Sequence, residues 1–542
     1  MNRLVGKYFK IVASLSFGVV IFLFWYCLYP QALSYQEQYQ LFLFTTDYFV
    51  KDISIAGGFA DYVSEFFVQF YYVIWFGALL LALLFIVLQR LTWRVMRTEK
   101  EELYLVSFIP VLLLLIYMGD ESMLLSFPVA LIFSLLAVSA MSGRNVILDV
   151  FVIPVLYWLI GPAVWTYVLF RIIRCGWRSG WTALYLIASQ IIAYALLLPQ
   201  WSLKSVFCGL NYYRIPWAFV TPAWEVALIL VFPMLAVVAL LINKVKASCR
   251  MEITVSAVIL LVLGSLVQSL GYDADKYELI MQDYLIRNER WNEVIERAQR
   301  KTVETAFWSN SVNLSLAMTG QLADRMFSFY QSGDDALIMP RIRDLTSNIP
   351  SAEAFYRLGM VNSAQRYAFD LQESISNGKK SGRFTKRIAE CMIINGKYKV
   401  AAKQLGLLLN SLFYRKWAEY AESCLGHESK INADSEWGRI RQLRYKNDFL
   451  YNYDAKDKMF GILFSQNPKN VMALDYFMGQ MLLDGNAHDF MTYLPWAQQT
   501  ATGYMPVGYQ DAISCIQAHG KADGSVYAKY MKRMMFENKN NK

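Results

Sequence analysis

The chain has 542 residues, with 52 Lys+Arg against 43 Asp+Glu for a formal net charge of +9. It is 56% hydrophobic and only 18% charged, whereas an ordinary soluble domain is about 45–50% apolar and about 25% charged. That balance excludes a purely soluble globular protein, a disordered chain and a disulfide-built scaffold.

The charge deficit lies in the first half. Residues up to Leu270 hold 17 Lys+Arg and 13 Asp+Glu, and the remainder holds 35 and 30 together with all three histidines, His427, His488 and His519. The change near Gly271 predicts a transmembrane helical domain over 1–270 and a soluble domain over 271–542. Basic residues form no stripe or single face, so nucleic acid is excluded as a partner. The seven cysteines never fall in a C-x-x-C pair, which leaves out a zinc site and a disulfide framework. Oxygen ligands remain open, so a divalent metal ion is the possible cofactor.

In chain order, Ile11 to Tyr29 is an apolar run behind Arg3, Lys7 and Lys10. It is too long for a cleaved signal and lacks small residues at a cut site, so it reads as an uncleaved first helix. Further apolar runs follow near 70–89, 103–118, 122–141, 147–160, 163–176, 181–199, 223–243 and 251–270, about nine segments in all. The run from Ile147 to Arg174 is either one long helix or a short hairpin turning at Gly161-Pro162. With the hairpin and an internal N-terminus, Arg90, Arg94, Arg97, Lys100, Arg144, Arg171, Arg174, Arg178, Lys244, Lys246 and Arg250 all face inward. This agrees with the Lys/Arg excess of short cytoplasmic loops. Both arms are then too short to span about 30 Å, and broken elements of this kind line cavities. The expected location is a bacterial inner membrane, multi-pass, with the N-terminus cytoplasmic and the C-terminal domain periplasmic.

This topology places three segments outside. The loop from Gln31 to Gln69 carries Asp47, Asp61 and Glu65. In a helix Asp61 and Glu65, four apart, lie on one face, where paired carboxylates act as a general base or bind a divalent ion. The bland alternative is a solvated helix start with an acid near its N-terminus. The turn Asp120-Glu121 is a secondary candidate for substrate binding. The loop from Gln200 to Pro222 presents Tyr212, Tyr213 and Arg214, a guanidinium among aromatics that suits phosphate or else reaches to lipid headgroups. Asp149 and Glu225 lie near helix ends, and no internal chain of ionisable groups points to a transporter.

From Asp273 onward, apolar residues recur at three and four, as in Tyr284, Leu285, Trp291, Val294, Ile295 and Ala298, which predicts amphipathic helices. Gly320, Gly359, Gly396 and Gly485 mark turns between helix pairs. The spacing resembles a tetratricopeptide-like α-solenoid of degenerate repeats, a surface for a periplasmic protein or glycan acceptor. The fold class is therefore all-α, a polytopic bundle followed by helical repeats.

Three stretches, Gly57-Gly58-Phe59-Ala60-Asp61-Tyr62, Tyr212-Tyr213-Arg214-Ile215-Pro216 and Asn395-Gly396-Lys397-Tyr398, carry a resemblance to an uncharacterised family of polytopic envelope proteins from Bacteroidota. In layout, the membrane half is also similar to the GT-C superfamily of polyprenyl-dependent glycosyltransferases. That resemblance implies a catalytic carboxylate in the first outer loop, Asp61 or Asp47, and a polyprenyl-phosphate donor. The expected function is sugar transfer from such a donor to a periplasmic acceptor. The alternative is a non-enzymatic membrane-anchored scaffold for envelope biogenesis.

Overall fold

The computed structural model of the protein describes residues 3–98, 100–141, 147–176, 179–197, 207, 212–214, 223–242, 249–342, 344–375, 378–447, 451–500, 504–518 and 524–540. Among the described residues the chain is helical, with no strand beyond an isolated antiparallel bridge between Met123 and Tyr213. It divides into two compact units, Met1–Ala274 with Asn410–Phe413, and Asp275–Leu409 with Tyr414–Lys542.

The first unit contains α1 (Arg3–Leu23), α2 (Pro30–Gln38), α3 (Thr46–Ile53), α4 (Gly58–Val68), α5 (Ile74–Met96), α6 (Ile109–Tyr117), α7 (Ser126–Ala140), α8 (Asp149–Ile160), α9 (Val164–Cys175), α10 (Trp181–Leu197), α11 (Ala223–Ile242) and α12 (Cys249–Gly271). Among the described residues, five stretches are long and apolar enough to cross a membrane: Tyr8–Leu28, Ile74–Met96, Asp149–Cys175, Trp224–Ile242 and Met251–Gly271. Four of these are single expected segments, and Asp149–Cys175 joins the two arms of the expected hairpin. Residues 103–118 split into a 3₁₀ stretch, Glu101–Phe108, and the nine-residue α6. Pro110 sits in the first turn of α6, where its missing N–H costs no helical bond. Helices α7 and α10, of 15 and 17 residues, fall short of the roughly 20 a span needs.

The Asp149–Cys175 stretch is folded back on itself. Tyr167 and Arg171, 18 and 22 residues beyond Asp149, both donate to its carboxylate, at 2.5 and 2.9 Å. A straight helix would hold them about 27 and 33 Å away. The reversal occurs at Gly161–Ala163, where Gly161 has φ +70° and ψ −151°, a conformation essentially confined to glycine.

The two ends of this unit differ in chemistry. At one end Lys10 pairs with Glu101 at 2.9 Å and Lys100 with Glu252 at 2.6 Å. Arg174 donates there to Val95 O and Val138 O, at 2.9 and 3.0 Å. The opposite end gathers α2, α3, the start of α4, the turn after α6, the tip of the α8–α9 hairpin and the start of α11. Aromatic side chains hold its short helices together: Phe42 contacts Phe44, Tyr48, Tyr62 and Phe66 at centroid distances of 5.0 to 5.6 Å.

In the second unit, consecutive helices pack as antiparallel pairs. Four of them are α13 (Ile349–Arg357), α14 (Val361–Glu373), α15 (Gly382–Ile394) and α16 (Tyr398–Leu409). The turn between pairs recurs: Gly320, Gly359, Gly396 and Gly485 all have φ between 69 and 82°. Each is followed by a residue whose N–H reaches back five positions, Gln321 to Leu316, Met360 to Phe355, Lys397 to Met392 and Asn486 to Met481, at 2.7 to 2.9 Å. This is the Schellman closure, which satisfies the last helical carbonyls and needs a left-handed residue. The spacing is irregular because segment 329–342, which contains no α-helix, intervenes. Asn310 and Asn313, from a helix whose buried face is polar, hold it by donating to Leu337 O at 2.6 Å and Ala336 O at 3.0 Å.

Candidate functional site

Of the loop expected between Gln200 and Pro222, Tyr212, Tyr213 and Arg214 are the consecutive described residues. Trp201, Ser202, Leu203, Lys204, Asn211, Ile215 and Pro216 lie outside the described residues. The three residues pair with the turn after α6: Leu124 N donates to Tyr212 O at 2.9 Å and Arg214 N to Ser122 O at 2.7 Å. This backbone pairing sends their side chains three ways. The Tyr212 hydroxyl donates to Ile160 O and accepts from Ala163 N at 3.0 Å, closing over the hairpin tip. Tyr213 donates to Asp120 Oδ2 at 3.1 Å, while Asp120 Oδ1 accepts from Ser122 N at 2.9 Å. Arg214, 3% exposed, donates to Glu121 O at 3.0 Å and Gln36 Oε1 at 2.5 Å. Its guanidinium lies over the rings of Tyr39 and Tyr35, 4.7 and 5.4 Å from their centroids. Gln36 in turn donates to Glu121 O and Met123 O. Burial pushes the Tyr212 phenol up, and burial followed by the Asp120 carboxylate does the same for Tyr213. Both are neutral hydrogen-bond donors at physiological pH.

The expected carboxylates occupy two environments. Asp61 and Glu65 are buried on α4, as are Asp52 at the end of α3 and Glu37 on α2. Asp61 lies one turn into α4, its N–H on Gly57 O at 3.3 Å. Gly57 N donates to Trp158 O at 2.8 Å, so the start of α4 abuts the hairpin tip on which Tyr212 sits. Asp47, in the first turn of α3, is exposed and stands apart from this buried group. Glu121 contributes its backbone carbonyl. The structure thus brings the start of α4, the hairpin tip, Asp120, Glu121 and Tyr212 to Arg214 to one end of the unit.

Among the described residues no group of three or more His, Cys, Asp or Glu is placed to hold a metal ion. Asp61 and Glu65 supply two carboxylates, fewer oxygens than the six to eight a calcium ion takes. His427 and His488 are exposed, and His519 lies outside the described residues.

Sequence reasoning missed Glu225. It is 3% exposed in the first turn of α11, and the Tyr117 hydroxyl donates to its Oε1 at 3.1 Å. A lone acid at the head of a 20-residue apolar helix was the available signal. Its position near a helix end led to a structural reading. The Tyr117 and Tyr213 rings lie 6.0 Å apart, which joins Glu225 to the Asp120 side of the site.

The fold and this site define an all-helical protein with several apolar helices able to span a membrane and a polar cluster buried at one end of them. Over residues 7–541 the chain matches a family of unknown function (DUF6057), and it belongs to that family. Among curated proteins and solved structures, nothing matches it.

Proposed function

We propose that the chain is an integral inner-membrane transferase, GT-C-like in layout, that moves a sugar from a polyprenyl-phosphate-linked donor to a periplasmic acceptor. The observation that carries this reading is the cluster of buried Asp61, Glu65, Tyr212, Tyr213 and Arg214 with half-buried Asp120 at one end of the apolar helices. Asp61 is the proposed base for the acceptor hydroxyl, with Glu65 beside it on α4. Arg214 is proposed to hold the donor phosphate, with Tyr212 and Tyr213 shaping the donor site, and Gln36, Tyr35 and Tyr39 position its guanidinium. Such a transfer needs an activated hydroxyl and a stabilised phosphate leaving group, and these residue types supply both. Asp47 is the least supported member, because it is exposed.

The proposed orientation puts this end in the periplasm. It is supported by the separation of Lys10, Lys100, Arg171 and Arg174 to the other end, in keeping with the cytoplasmic Lys/Arg excess. The short helices α6, α7 and α10 complete the crossings in this reading, and the second unit presents the acceptor as a tetratricopeptide-like solenoid. A periplasm-active reporter fused after Gly271 tests the orientation, and a cytoplasmic signal would sink it. The chemistry is tested by comparing extractable polyprenyl-linked glycans and periplasmic glycoproteins in cells carrying the wild type, Asp61→Asn or a deletion. Donor accumulation in both altered strains supports the transferase.

The recurring helix pairs of the second unit favour a second reading, a membrane-anchored scaffold. Unchanged glycans in the deletion, with a phenotype that follows substitutions on the surface of those pairs, would give it the lead.

A further inference from the structure

The first unit includes one segment far from the rest of it in sequence, Asn410–Phe413. This segment docks on aromatic side chains at the start of α5. Phe413 stacks on the Tyr72 ring at a centroid distance of 5.1 Å and an interplanar angle of 19°, and meets the Phe70 ring edge-on at 5.8 Å. Asn410 O accepts from Phe44 N at 2.8 Å. Between these two fixed points in the chain Leu412 is 48% exposed, and Phe44 and Tyr72 are 48% and 47% exposed. Trp75, at the head of α5, is 54% exposed, and Leu79, Leu83 and Val87 are exposed at four-residue steps beyond it. Residues four apart share a helix face, so α5 presents a continuous apolar stripe outward. Trp75 and Arg94 are 19 residues apart, about 28 Å along a helix axis, close to the ~30 Å of bilayer hydrocarbon. An aromatic pair at one boundary and an arginine at the other is the arrangement of a spanning helix anchored at both interfaces.

We propose that the Asn410–Phe413 loop inserts Leu412 into the interfacial layer of the lipid bilayer, extending the lipid-facing stripe of α5 with a patch made of Phe44, Tyr72, Leu412 and Phe413. A single exposed leucine needs no explanation. This one is held by a ring stack and a backbone hydrogen bond at the level of Tyr72, where aromatic side chains meet the headgroups. The occupant is lipid because the patch is continuous with the face that α5 turns outward. The chain right after the loop agrees: Arg415 and Lys416 are both exposed, and such cations are attracted to anionic headgroups. The proposal requires α5 to cross the bilayer and does not depend on what the protein transfers.

The test attaches the polarity-sensitive fluorophore nitrobenzoxadiazole to Leu412→Cys in the full-length protein, reconstituted in phosphatidylethanolamine–phosphatidylglycerol vesicles. The exposed Cys27 is removed as Cys27→Ser, and the signal of that parent is subtracted. Lipids spin-labelled beside the headgroup or near the chain end then quench by contact. At position 412 the emission is expected to be blue-shifted, with most of it lost to the shallow label and little to the deep one. Leu83→Cys, midway down the stripe, is expected to show the reverse order. Water-like emission at 412 that neither label quenches overturns the proposal. So does blue-shifted emission that neither label quenches, since a protein partner or a second copy then covers the loop. Quenching at 412 that is stronger from the deep label also overturns it, because the loop would lie below the interface. Phe44→Cys, on the other side of the backbone hydrogen bond, must report the same depth as position 412, which keeps the result independent of any one variant's folding.

Discussion

Arg171 Nε donates to Asp149 Oδ2 across 2.9 Å, with both side chains at most 2% exposed, and this pair fastens the open ends of the α8–α9 hairpin. Arg171 also donates to Met141 O at 2.9 Å, and Tyr167 to the same carboxylate. The desolvation of both charges is offset only while both are present. Arg171→Met alone is expected to destabilise the membrane unit by about 3–5 kcal/mol, the usual loss on orphaning a buried charge. The double variant Asp149→Leu/Arg171→Met is expected to regain much of that. Thermal unfolding of the purified protein in detergent reads both, and a double variant no better than the single would contradict the pairing.

At the closed end of the hairpin, Gly161 is held at φ +70° and ψ −151°. A Cβ there would lie 3.3 Å from the Tyr212 hydroxyl and 3.5 Å from Gly57 Cα. Gly161→Ala is expected to cost about 1–3 kcal/mol from backbone strain, with added loss where Tyr212 is displaced. Gly264→Ala, in α12 with nothing within 4 Å of its Cβ, serves as the control and is expected to gain up to about 1 kcal/mol of helix propensity. The same melting experiment ranks the two.

Arg214 is held over the Tyr39 and Tyr35 rings as well as by hydrogen bonds, and lysine can reproduce neither the fork nor the delocalised cation over the rings. Arg214→Lys is therefore expected to resemble Arg214→Ala, each losing at least about 2 kcal/mol through the buried cation–ring contacts and the two hydrogen bonds. Limited proteolysis between α2 and α4 checks this. Wild-type resistance in Arg214→Lys would show that charge alone suffices.

In the second unit, burial works against the Glu353 carboxylate, yet the guanidiniums of Arg387, Arg357 and Arg383 outweigh it and bring its pKa from 4.5 down to about 2. Arg357 donates to Glu353 at 2.8 Å and Arg387 donates to it at 2.8 Å. The folded value lies below the unfolded one, so this contribution is complete above about pH 4.5 and disappears as pH falls from there toward about 2. Glu436 has the opposite sign, raised by burial and then by Glu390. Glu353→Gln is expected to lower stability at neutral pH and to flatten the acid limb between pH 4.5 and 2. Urea unfolding of the full chain followed by tryptophan fluorescence across that range checks it; an unchanged acid limb would mean that other carboxylates govern it.

Much of the architecture was legible in the residues. Long apolar runs specify membrane-compatible helices because a backbone in hydrocarbon must satisfy its own hydrogen bonds. Glycines at Gly320, Gly359, Gly396 and Gly485 announced the helix-pair turns because a left-handed closing residue is nearly glycine-specific. The sequence also marked Gly161-Pro162 as a break, and its Lys/Arg distribution favoured a reversal there.

Only the tertiary structure decided that the break is a reversal, by setting Asp149 against Arg171, residues 22 apart. It likewise separated Asp47 from Asp61 and Glu65, which composition treats alike, by exposing one and burying the others. It also set Tyr117 against Glu225 and Tyr213 against Asp120, partners 108 and 93 residues apart. Local sequence encodes helix, turn and apolar face through interactions within a few residues. The partners of a buried charge lie tens or hundreds of residues away, and packing selects them.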